Sequence, residues 1–507
     1  MLSIIYPFAF ICSLVGLLCW SFLESNRIGR LFRNLFIAGI LVWMVSLYSS
    51  PLEFHEKIGV ALRDLLVIGL GGLVMNWAKA NKIMAFLVLV ATGIFLQLNY
   101  LNVLRSSLIS SSAGSTYAEI ELMVDLADVP LEELESILKP YKARLSHAFE
   151  PQNPEITDLD DYYLIDLPGN ASPSSIGEVV DVLEQSGLID WIEHNEEVRI
   201  PLDELKVAKP RASANKFGVS DPDVDKQWSF AMLNIEELHQ VLNLPTVTPK
   251  KKALIAIIDT GVDGNHEDLK DRYVTTNKKY DTDIQGHGTH VAGIAAAVSN
   301  NGLGIASFDP GKEFVSVTGI KVLSDRGFGT QATIIKGMIE AADRGADVIS
   351  MSLGGRSTDK KEITYEKAVK YCNDLGAIVV VAAGNSGSNS KSYAPANAKG
   401  VITVTATTQS GDKAAFSNTV EDVTFGVAAP GDNIYSTFPG DSYKSFRGTS
   451  MACPFVASLA GIMKSIEPSL TTAQIHRIIS VTGHDTNDTP RTGKLIQPAE
   501  CIRALLD

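Results

Sequence analysis

The sequence predicts an α/β protein whose main domain is a three-layer α/β/α fold with a mostly parallel sheet. A small ferredoxin-like α+β domain and an all-α transmembrane region are predicted to precede it. Three observations predict this organisation. Charge-free apolar runs fill most of the first 110 residues, a β-α-β-β-α-β pattern occupies residues 117–200, and apolar strands alternate with helical stretches from residue 221 onward. A chain of 507 residues is long enough for several domains.

The first 110 residues predict transmembrane helices. About 20 apolar helical residues cross the hydrocarbon layer of a bilayer, and three runs without any charged residue reach that length. The predicted spans cover residues 2–23, 34–52, 60–78 and 83–104. The span at 60–78 is the weakest, because its apolar part is short and Arg63 and Asp64 must lie at the membrane interface.

Basic side chains predict the orientation of these spans. Arg27, Arg30 and Arg33 lie in the first predicted loop, and Lys79 and Lys82 lie between the third and fourth spans. The positive-inside rule places both loops in the cytoplasm, so four spans put the later domains outside the cytoplasm, whereas three spans would put them inside. A signal peptide is disfavoured, since no Lys or Arg precedes the first apolar run. The chain is therefore predicted to be a multi-pass membrane protein with an extracytoplasmic main domain.

A Ser-rich tether at residues 111–116 leads into the predicted small domain, residues 117–200. Within that domain, four strands and two helices alternate in the β-α-β-β-α-β order of a ferredoxin-like sandwich. The strands are predicted at 118–126, 144–150, 160–168 and 188–200, and the helices at 130–141 and 173–187. Residues 201–220 are polar and aperiodic, which predicts an exposed linker.

Residues 221–507 predict a parallel sheet. Near-continuous apolar strands begin at residues 253, 347, 377 and 401, with helical stretches between them. Asp259, Ser352 and Asn385 each end or follow one of these strands. Because ligands of such sheets bind at the carboxyl ends of the strands, these polar residues are expected to converge on one edge.

Three motifs in this region carry polar residues with catalytic potential, although each is weak alone. Asp259 lies in IIDTGVDG, where a single D-T-G lacks the second copy of an aspartic-peptidase dyad and could simply cap a turn. His287 opens GHGTHVAGIAAAV, where His287 and His290 could hold a metal, although a packed core histidine is the favoured interpretation of His290. Ser450 lies in FRGTSMACPFVASLAGIM at a predicted helix N-terminus, where it could act as an ordinary N-cap or lie beside a developing anion.

Together the three blocks resemble the subtilisin-like serine peptidases, in that family's order and over nearly all of residues 221–507. The resemblance implies a triad of Asp259, His287 and Ser450, with Asn385 of VVVAAGNSG as the oxyanion donor. It also implies a substrate-backbone groove and no catalytic cofactor. The groove residues are Ser352, Leu353, Gly354 and Gly355.

The implied chemistry agrees with what these side chains can do. A serine hydroxyl becomes a competent nucleophile when an imidazole removes its proton, and a carboxylate can orient that imidazole. The expected activity is therefore serine endopeptidase hydrolysis of polypeptides through an acyl-enzyme. The alternative is a non-catalytic membrane scaffold or sensor that uses a peptidase-like fold as a binding module.

The resemblance also implies a propeptide and a calcium site. The small domain is similar to the family's propeptide, which implies an intramolecular chaperone and inhibitor cleaved off within residues 201–220. A structural calcium is implied at Asp221 (or Gln227), Asp268 and Asn300, whose oxygens suit a hard cation, although Asp268 and Asn300 could be ordinary loop polar groups.

The expected partners are a polypeptide substrate, the chain's own propeptide and a lipid bilayer. Nucleic acid is not expected, since the chain has a net charge of −14 and no clustered run of Lys and Arg.

Overall fold

The computed structural model describes most of the chain after residue 119 and one stretch before it. The described residues are Ser13, Leu17, 27–48, 120–127, 129–168, 173–200, 204–205, 216–311, 313–357 and 362–506. The chain divides into two compact units, Met1–Ala118 and Glu119–Asp507.

The described part of the first unit is one long helix, α1 (Arg27–Tyr48). It begins at Arg27, so Arg27, Arg30 and Arg33 lie within the helix and not in the predicted loop, as the good helix propensity of arginine permits. Several large apolar side chains of α1 are exposed: Leu31, Leu35, Ile37, Leu41, Val42 and Met44. Apart from Ser13 and Leu17, the predicted spans at 2–23, 60–78 and 83–104 and the tether lie outside the described residues.

The small domain of the second unit has four strands and two helices. These elements are β1 (Ile120–Leu126), α2 (Leu131–Leu138), β2 (Arg144–His147), β3 (Tyr162–Asp166), α3 (Pro173–Ser186) and β4 (Ile189–His194). The strands form an antiparallel sheet in the order β2-β3-β1-β4. Alternate residues of β1, such as Leu122 and Val124, are fully buried in a core shared with Leu134 of α2 and Leu183 of α3.

The segment predicted as one strand over residues 188–200 is divided. After β4 the chain leaves the small sheet, and β5 (Glu197–Arg199) pairs antiparallel with β9 (Phe328–Thr330) of the main domain. Further on, β6 (Glu204–Leu205) pairs with β17 (Ser442–Phe446). The small domain and the region predicted as a linker therefore both contribute strands to the main domain.

The main sheet contains seven parallel strands in the order β18-β15-β14-β12-β10-β7-β8. Their bounds are β7 (Ala253–Asp259), β8 (Val315–Lys321), β10 (Val348–Met351), β12 (Ile378–Ala382), β14 (Val401–Thr407), β15 (Gly426–Pro430) and β18 (Lys494–Leu495). The shorter strands are β11 (Gly355–Arg356), which pairs with β13 (Tyr393–Ala394), and β16 (Ile434–Phe438), which pairs with β17. The expected α/β fold with a large parallel sheet is confirmed.

Helices cover both faces of this sheet. They are α4 (Ser229–Met232), α5 (Ile235–Leu242), α6 (His287–Ala296), α7 (Gln331–Asp343), α8 (Glu362–Asp374), α9 (Thr449–Ile466), α10 (Thr472–Thr482), α11 (Thr489–Thr492) and α12 (Pro498–Leu506). Ile255 and Ile257 of β7 face a core shared with α6 and α9, whereas Ala256 and Ile258 face a core shared with α7 and α8. This alternation produces the three layers.

Two further observations concern the main domain. Among the described residues, one helix has the length and apolar composition needed to cross a bilayer, namely α9, and every residue of it is buried in this fold. The end of the predicted exposed linker belongs to the core, because Val219 is buried and the Phe217 ring packs 5.9 Å from that of Phe230. The apolar residues of this short stretch had no periodic pattern that could reveal their burial.

Candidate active site

The ends of three neighbouring strands bring polar residues to one edge of the sheet. Asp259 is the last residue of β7, Ser352 follows β10, and Asn385 lies three residues beyond β12. These strands are adjacent and parallel, so their carboxyl ends share an edge.

Asp259 and His287 form a buried hydrogen-bonded pair. The Nδ1 atom of His287 lies 2.9 Å from both Oδ1 and Oδ2 of Asp259, whose side chain is fully buried. Burial alone would lower the pKa of His287, but the charge of Asp259 and its hydrogen bond outweigh burial and raise that pKa above its ordinary value. The pair therefore holds an imidazole that binds a proton more readily than usual.

Glycines allow His287 to begin a helix so close to this strand. Gly286 precedes α6 with a φ of 96°, and a Cβ atom there would lie 2.1 Å from the ring of Phe438. A Cβ atom on Gly288 would lie 2.1 Å from the carbonyl oxygen of Gly261. The two glycines flanking His287 are therefore steric requirements of this packing.

Asp283 is a second buried carboxylate close to this pair, and no motif in the sequence indicated it. Oδ1 of Asp283 accepts hydrogen bonds from Thr260 Oγ1 at 2.9 Å and the Gly286 amide at 2.8 Å. Its Oδ2 accepts from the amide and hydroxyl of Thr289, at 2.9 and 2.8 Å. The signal available in the sequence was an aspartate four residues before His287.

Ser450 is the second residue of α9, on the helix that packs against α6. Its hydroxyl donates to the backbone carbonyl of Ser352 at 3.1 Å, and the Ser352 hydroxyl donates to the Ser450 carbonyl at 2.8 Å. The side chain thus lies in the first turn of a long helix, where amide groups without intrahelical partners and the positive end of the helix dipole favour negative charge.

Asn385 is oriented by Thr449, another residue that the motif analysis did not select. The amide and the hydroxyl of Thr449 donate to Asn385 Oδ1 at 2.8 and 2.9 Å. A backbone amide is only a donor, so the oxygen of Asn385 must face it and the Nδ2 atom is left to donate elsewhere. A Cβ atom on Gly448 would lie 3.3 Å from that Nδ2 atom.

Ser450, Thr449 and Asn385 line a cavity of about 710 Å³. Its lining includes every residue assigned to the substrate groove together with the proposed nucleophile and oxyanion donor, namely Ser352, Leu353, Gly354, Gly355, Asn385 and Ser450. Arg199 and Ile200, from the end of the small domain, line the same cavity. The cavity is therefore shared between the main domain and a segment of the small domain.

The small domain enters this cavity as an extended strand. β5 pairs residue by residue with β9, and the Ile200 amide donates to the Gly327 carbonyl at 3.0 Å. Val198 and Ile200 are only 5% and 7% exposed and pack into the core of the main domain. The intervening Arg199 is exposed, with its guanidinium 4.8 Å from the centre of the Phe328 ring.

Polar contacts also connect the small domain to the helices α7 and α8. Glu193 is almost fully buried and accepts from Gln331 Nε2 at 3.1 Å and from the Thr364 hydroxyl. Asn195 Oδ1 accepts from the Ala332 amide at 3.0 Å. Lys367 of α8 forms an ion pair with Asp125 at 2.6 Å. Acceptors on the small domain thus meet the first turn of α7, where a free amide donates to one of them, and side-chain donors of α8.

His290 lies outside this chemistry. Its Nε2 atom is 3.1 Å from the Lys444 carbonyl oxygen, and its ring stacks on Phe446 with centroids 4.4 Å apart. Burial lowers the pKa of His290 to about 3, and the neighbouring charge of His287 adds to the effect. These contacts agree with a neutral histidine packed in the core.

The residues proposed for calcium are joined by hydrogen bonds within the chain. Asp221 accepts from the amides of Asn300, Asn301 and Gly302 at 2.8 to 3.2 Å. Asp268 accepts from Asn301 Nδ2 at 2.8 Å and from the Ile305 amide at 2.9 Å. Each of these carboxylates thus accepts hydrogen bonds from N–H groups of residues 300–305.

The remaining candidate ligands are engaged in the same way. Asn300 Oδ1 accepts from the Ser220 amide at 3.0 Å, and Gln227 Oε1 accepts from the Ala306 amide at 2.9 Å. Positive charge comes from Arg272, which is fully buried. Burial lowers the pKa of Arg272, while the charges of Asp309, Asp268 and Asp221 oppose that change. The loop is thus held by the chain's own donors next to a buried guanidinium, and the calcium site stays a prediction.

Comparisons with known proteins place the main domain among peptidases. The model of the subtilase family matches residues 250–494. Thermitase of Thermoactinomyces vulgaris is 44% identical over 220 residues, which cover 42% of this chain and 75% of thermitase. Subtilisin DY of Bacillus licheniformis is 40% identical over 247 residues, or 47% of this chain and 86% of that protein. A thermostable alkaline protease of Halalkalibacterium halodurans is 33% identical over 328 residues, covering 64% and 86% of the two chains.

Proposed function

The chain belongs to the subtilase family and is a serine endopeptidase, and from that premise we propose that it is a membrane-anchored, autoprocessed enzyme in which Asp259, His287 and Ser450 form the catalytic triad. The observation that carries this proposal is the buried Asp259–His287 hydrogen bond at the sheet edge where Ser352, the hydrogen-bond partner of Ser450, also lies. No catalytic cofactor takes part in the proposed reaction.

His287 acts as the general base. Because its Nδ1 atom bonds Asp259, the neutral ring carries its proton on Nδ1, and the lone pair on Nε2 accepts the proton of the Ser450 hydroxyl. The hydroxyl turns from the Ser352 carbonyl toward that nitrogen as it attacks the scissile carbonyl. Asp259 then stabilises the imidazolium, which afterwards gives its proton to the leaving amine.

Asn385 and the first turn of α9 stabilise the oxyanion. The tetrahedral intermediate places negative charge on the former carbonyl oxygen, and the Nδ2 atom of Asn385 can donate to it because Thr449 holds the amide oxygen away. The Ser450 backbone amide is the second donor. Ser352 to Gly355 line the cavity in which the substrate backbone would lie.

The small domain is proposed to be a propeptide that acts as chaperone and inhibitor. Its sheet order, β2-β3-β1-β4 with two crossing helices, supports the ferredoxin-like assignment. The pairing of β5 with β9 supports inhibition, because a substrate would need the same strand edge and cavity. The polar contacts to the starts of α7 and α8 support a role in ordering those helices.

Cleavage is proposed between residues 200 and 204, at the start of the segment 201–220. Ile200 is bound beside Gly327, and Glu204 pairs with Phe446, four residues before Ser450. The pairing of residues on both sides of this short segment with the main domain supports cleavage there. Sequencing the N-terminus of the mature protein tests this, and a cut beyond residue 204 would contradict it.

Residues 1–110 are proposed to anchor the enzyme, with the main domain outside the cytoplasm. The charge-free runs support spans, and so do the exposed apolar side chains along α1, such as Leu31 and Leu41. A reporter enzyme fused after residue 110 would decide the side of the membrane. A non-catalytic scaffold is not favoured, because each position of the proposed site carries a residue able to perform its step.

Fluorophosphonate labelling tests the nucleophile. The full chain and its S450A variant are treated with a fluorophosphonate probe, and N-terminal processing is followed in parallel. We expect labelling and processing in the wild type and neither in S450A. S458A is the matched control, since Ser458 is a buried serine of the same helix that donates to Ala295. Undiminished labelling of S450A would refute the assignment.

A further inference from the structure

Asp283 connects the end of β7, which carries Asp259, to the start of α6, which carries His287. Thr260 directly follows Asp259, and its hydroxyl donates to Asp283 Oδ1 while accepting from the Gly288 amide at 3.0 Å. The Gly286 amide donates to the same Oδ1 atom. One carboxylate thus binds both the residue after Asp259 and the residue before His287.

The second oxygen of Asp283 holds the first turn of α6. It accepts both donors of Thr289, and the hydroxyl of Thr289 in turn accepts from the Asp263 amide at 3.0 Å. Asp283 therefore has four hydrogen-bond contacts, is only 6% exposed, and has donors on every side. Since a protonated carboxyl would turn an O–H toward one of these donors, the arrangement fits the ionised form.

We infer that Asp283 is a positioning residue of the catalytic centre, which fixes the distance between Asp259 and His287 and adds a second negative charge behind the imidazole. This inference rests on the proposed triad. Asp283 acts on the catalytic pair through its contacts with Thr260, Gly286 and Thr289 and through its charge.

The charge has a definite direction of effect. The titratable groups around His287 are Asp259, Asp283 and the neutral His290, and the charges of Asp259 and Asp283 both raise the pKa of His287. The pKa of Asp283 itself is raised, because desolvation by burial outweighs the opposing effect of its amide and hydroxyl donors. Removing the charge at position 283 therefore lowers the pKa of His287.

The test compares D283N with T260V by the pH dependence of kcat/KM on a chromogenic peptide amide. In D283N an amide nitrogen faces donors, so contacts are lost, and kcat/KM falls about 10- to 100-fold. The acidic limb, which requires a neutral His287, moves to lower pH by roughly half a unit. In T260V the charge remains but one connection is lost, so activity falls about 3- to 10-fold with the limb unmoved.

The controls separate this inference from the proposed function. Hydrolysis by the wild-type enzyme comes first, and its failure would overturn the proposed function. T276V is the matched control and should behave as wild type. The hydroxyl of Thr276 lies 3.1 Å from that of Thr318, and this contact is not part of the Asp283 network. If D283N does not fold, T289A removes one donor in its place and should lose activity as T260V does. Wild-type kcat/KM in T260V, or an unmoved acidic limb in folded D283N, would overturn the inference.

Discussion

Two buried acidic clusters of the main domain show how differently the same residue type can be used. At the catalytic edge, Asp259 accepts from the Thr260 amide at 2.8 Å, and its two oxygens lie 2.9 Å from the Nδ1 atom of His287. In the loop predicted to bind calcium, the oxygens of Asp221 and Asp268 accept from amides and a side-chain amide. The difference lies in what each carboxylate contacts, since Asp259 contacts the imidazole of His287, whereas Asp221 and Asp268 contact amide groups of residues 300–305.

The largest effect should come from the oxyanion side of the catalytic cluster. N385A removes the Nδ2 donor, so kcat should fall about 10²- to 10³-fold, measured with a peptide amide on the processed enzyme. KM should change little, because the donor acts mainly on the developing charge. N389A is the control on the same loop, where Asn389 caps a turn through the Lys391 amide. A loss in N385A no larger than in N389A would show that Asn385 is structural.

The second prediction removes the carboxylate of Asp268 from the loop predicted to bind calcium. D268A leaves the Ile305 amide and the Asn301 side chain buried without their acceptor, so the free energy of unfolding should fall by about 2 to 4 kcal/mol. Denaturant melts of the S450A background would measure it without autolysis. D325A is the control, since Asp325 is half exposed in its ion pair with Lys321 and should cost below about 1 kcal/mol.

The third prediction concerns the pH at which the catalytic cluster loses activity. The general base must be neutral, and the pKa of His287 is raised, so kcat/KM should fall as the pH drops through a midpoint above the ordinary histidine value of about 6.5. Activity is thus retained above that midpoint and lost below it. A midpoint at or below 6.5 would mean that burial outweighs the charge of Asp259.

The smallest expected effect is that of removing calcium. Because the loop oxygens already accept hydrogen bonds, excess EGTA should change the Tm of the S450A protein by less than about 2 °C. The same scan of D268A is the control. A fall of several degrees in the S450A protein that disappears in the D268A background would show that calcium binds at this loop.

The sequence allowed the main sheet and the proposed site residues to be predicted together. Strands β7, β10, β12 and β14 are apolar runs bounded by turns, and their ends carry Asp259 and Asn385 in short motifs. β8 was not predicted, because VSVTGIK mixes serine, threonine and glycine with its apolar residues. Its burial between β7 and the helices decides its conformation, and such packing is not visible in a local pattern.

Residues that act through others were harder to predict. Asp283 meets Thr260, and Thr449 meets Asn385, only after distant segments come together, so their roles have no local pattern. The calcium ligands were implied by the resemblance to the family, which cannot show that amides of residues 300–305 lie against the carboxylates. The same limit applies to β5, since its partner β9 is about 130 residues away.

The pairing of β5 with β9 also separates two events in the life of the enzyme. A cut between residues 200 and 204 would create a new C-terminus at a segment that is still hydrogen-bonded along Gly327 to Thr330 and anchored through Val198 and Ile200. Breaking the chain would therefore leave the cleft filled by its own product. The onset of proteolysis would follow the departure or destruction of that fragment, with a rate independent of the cut itself.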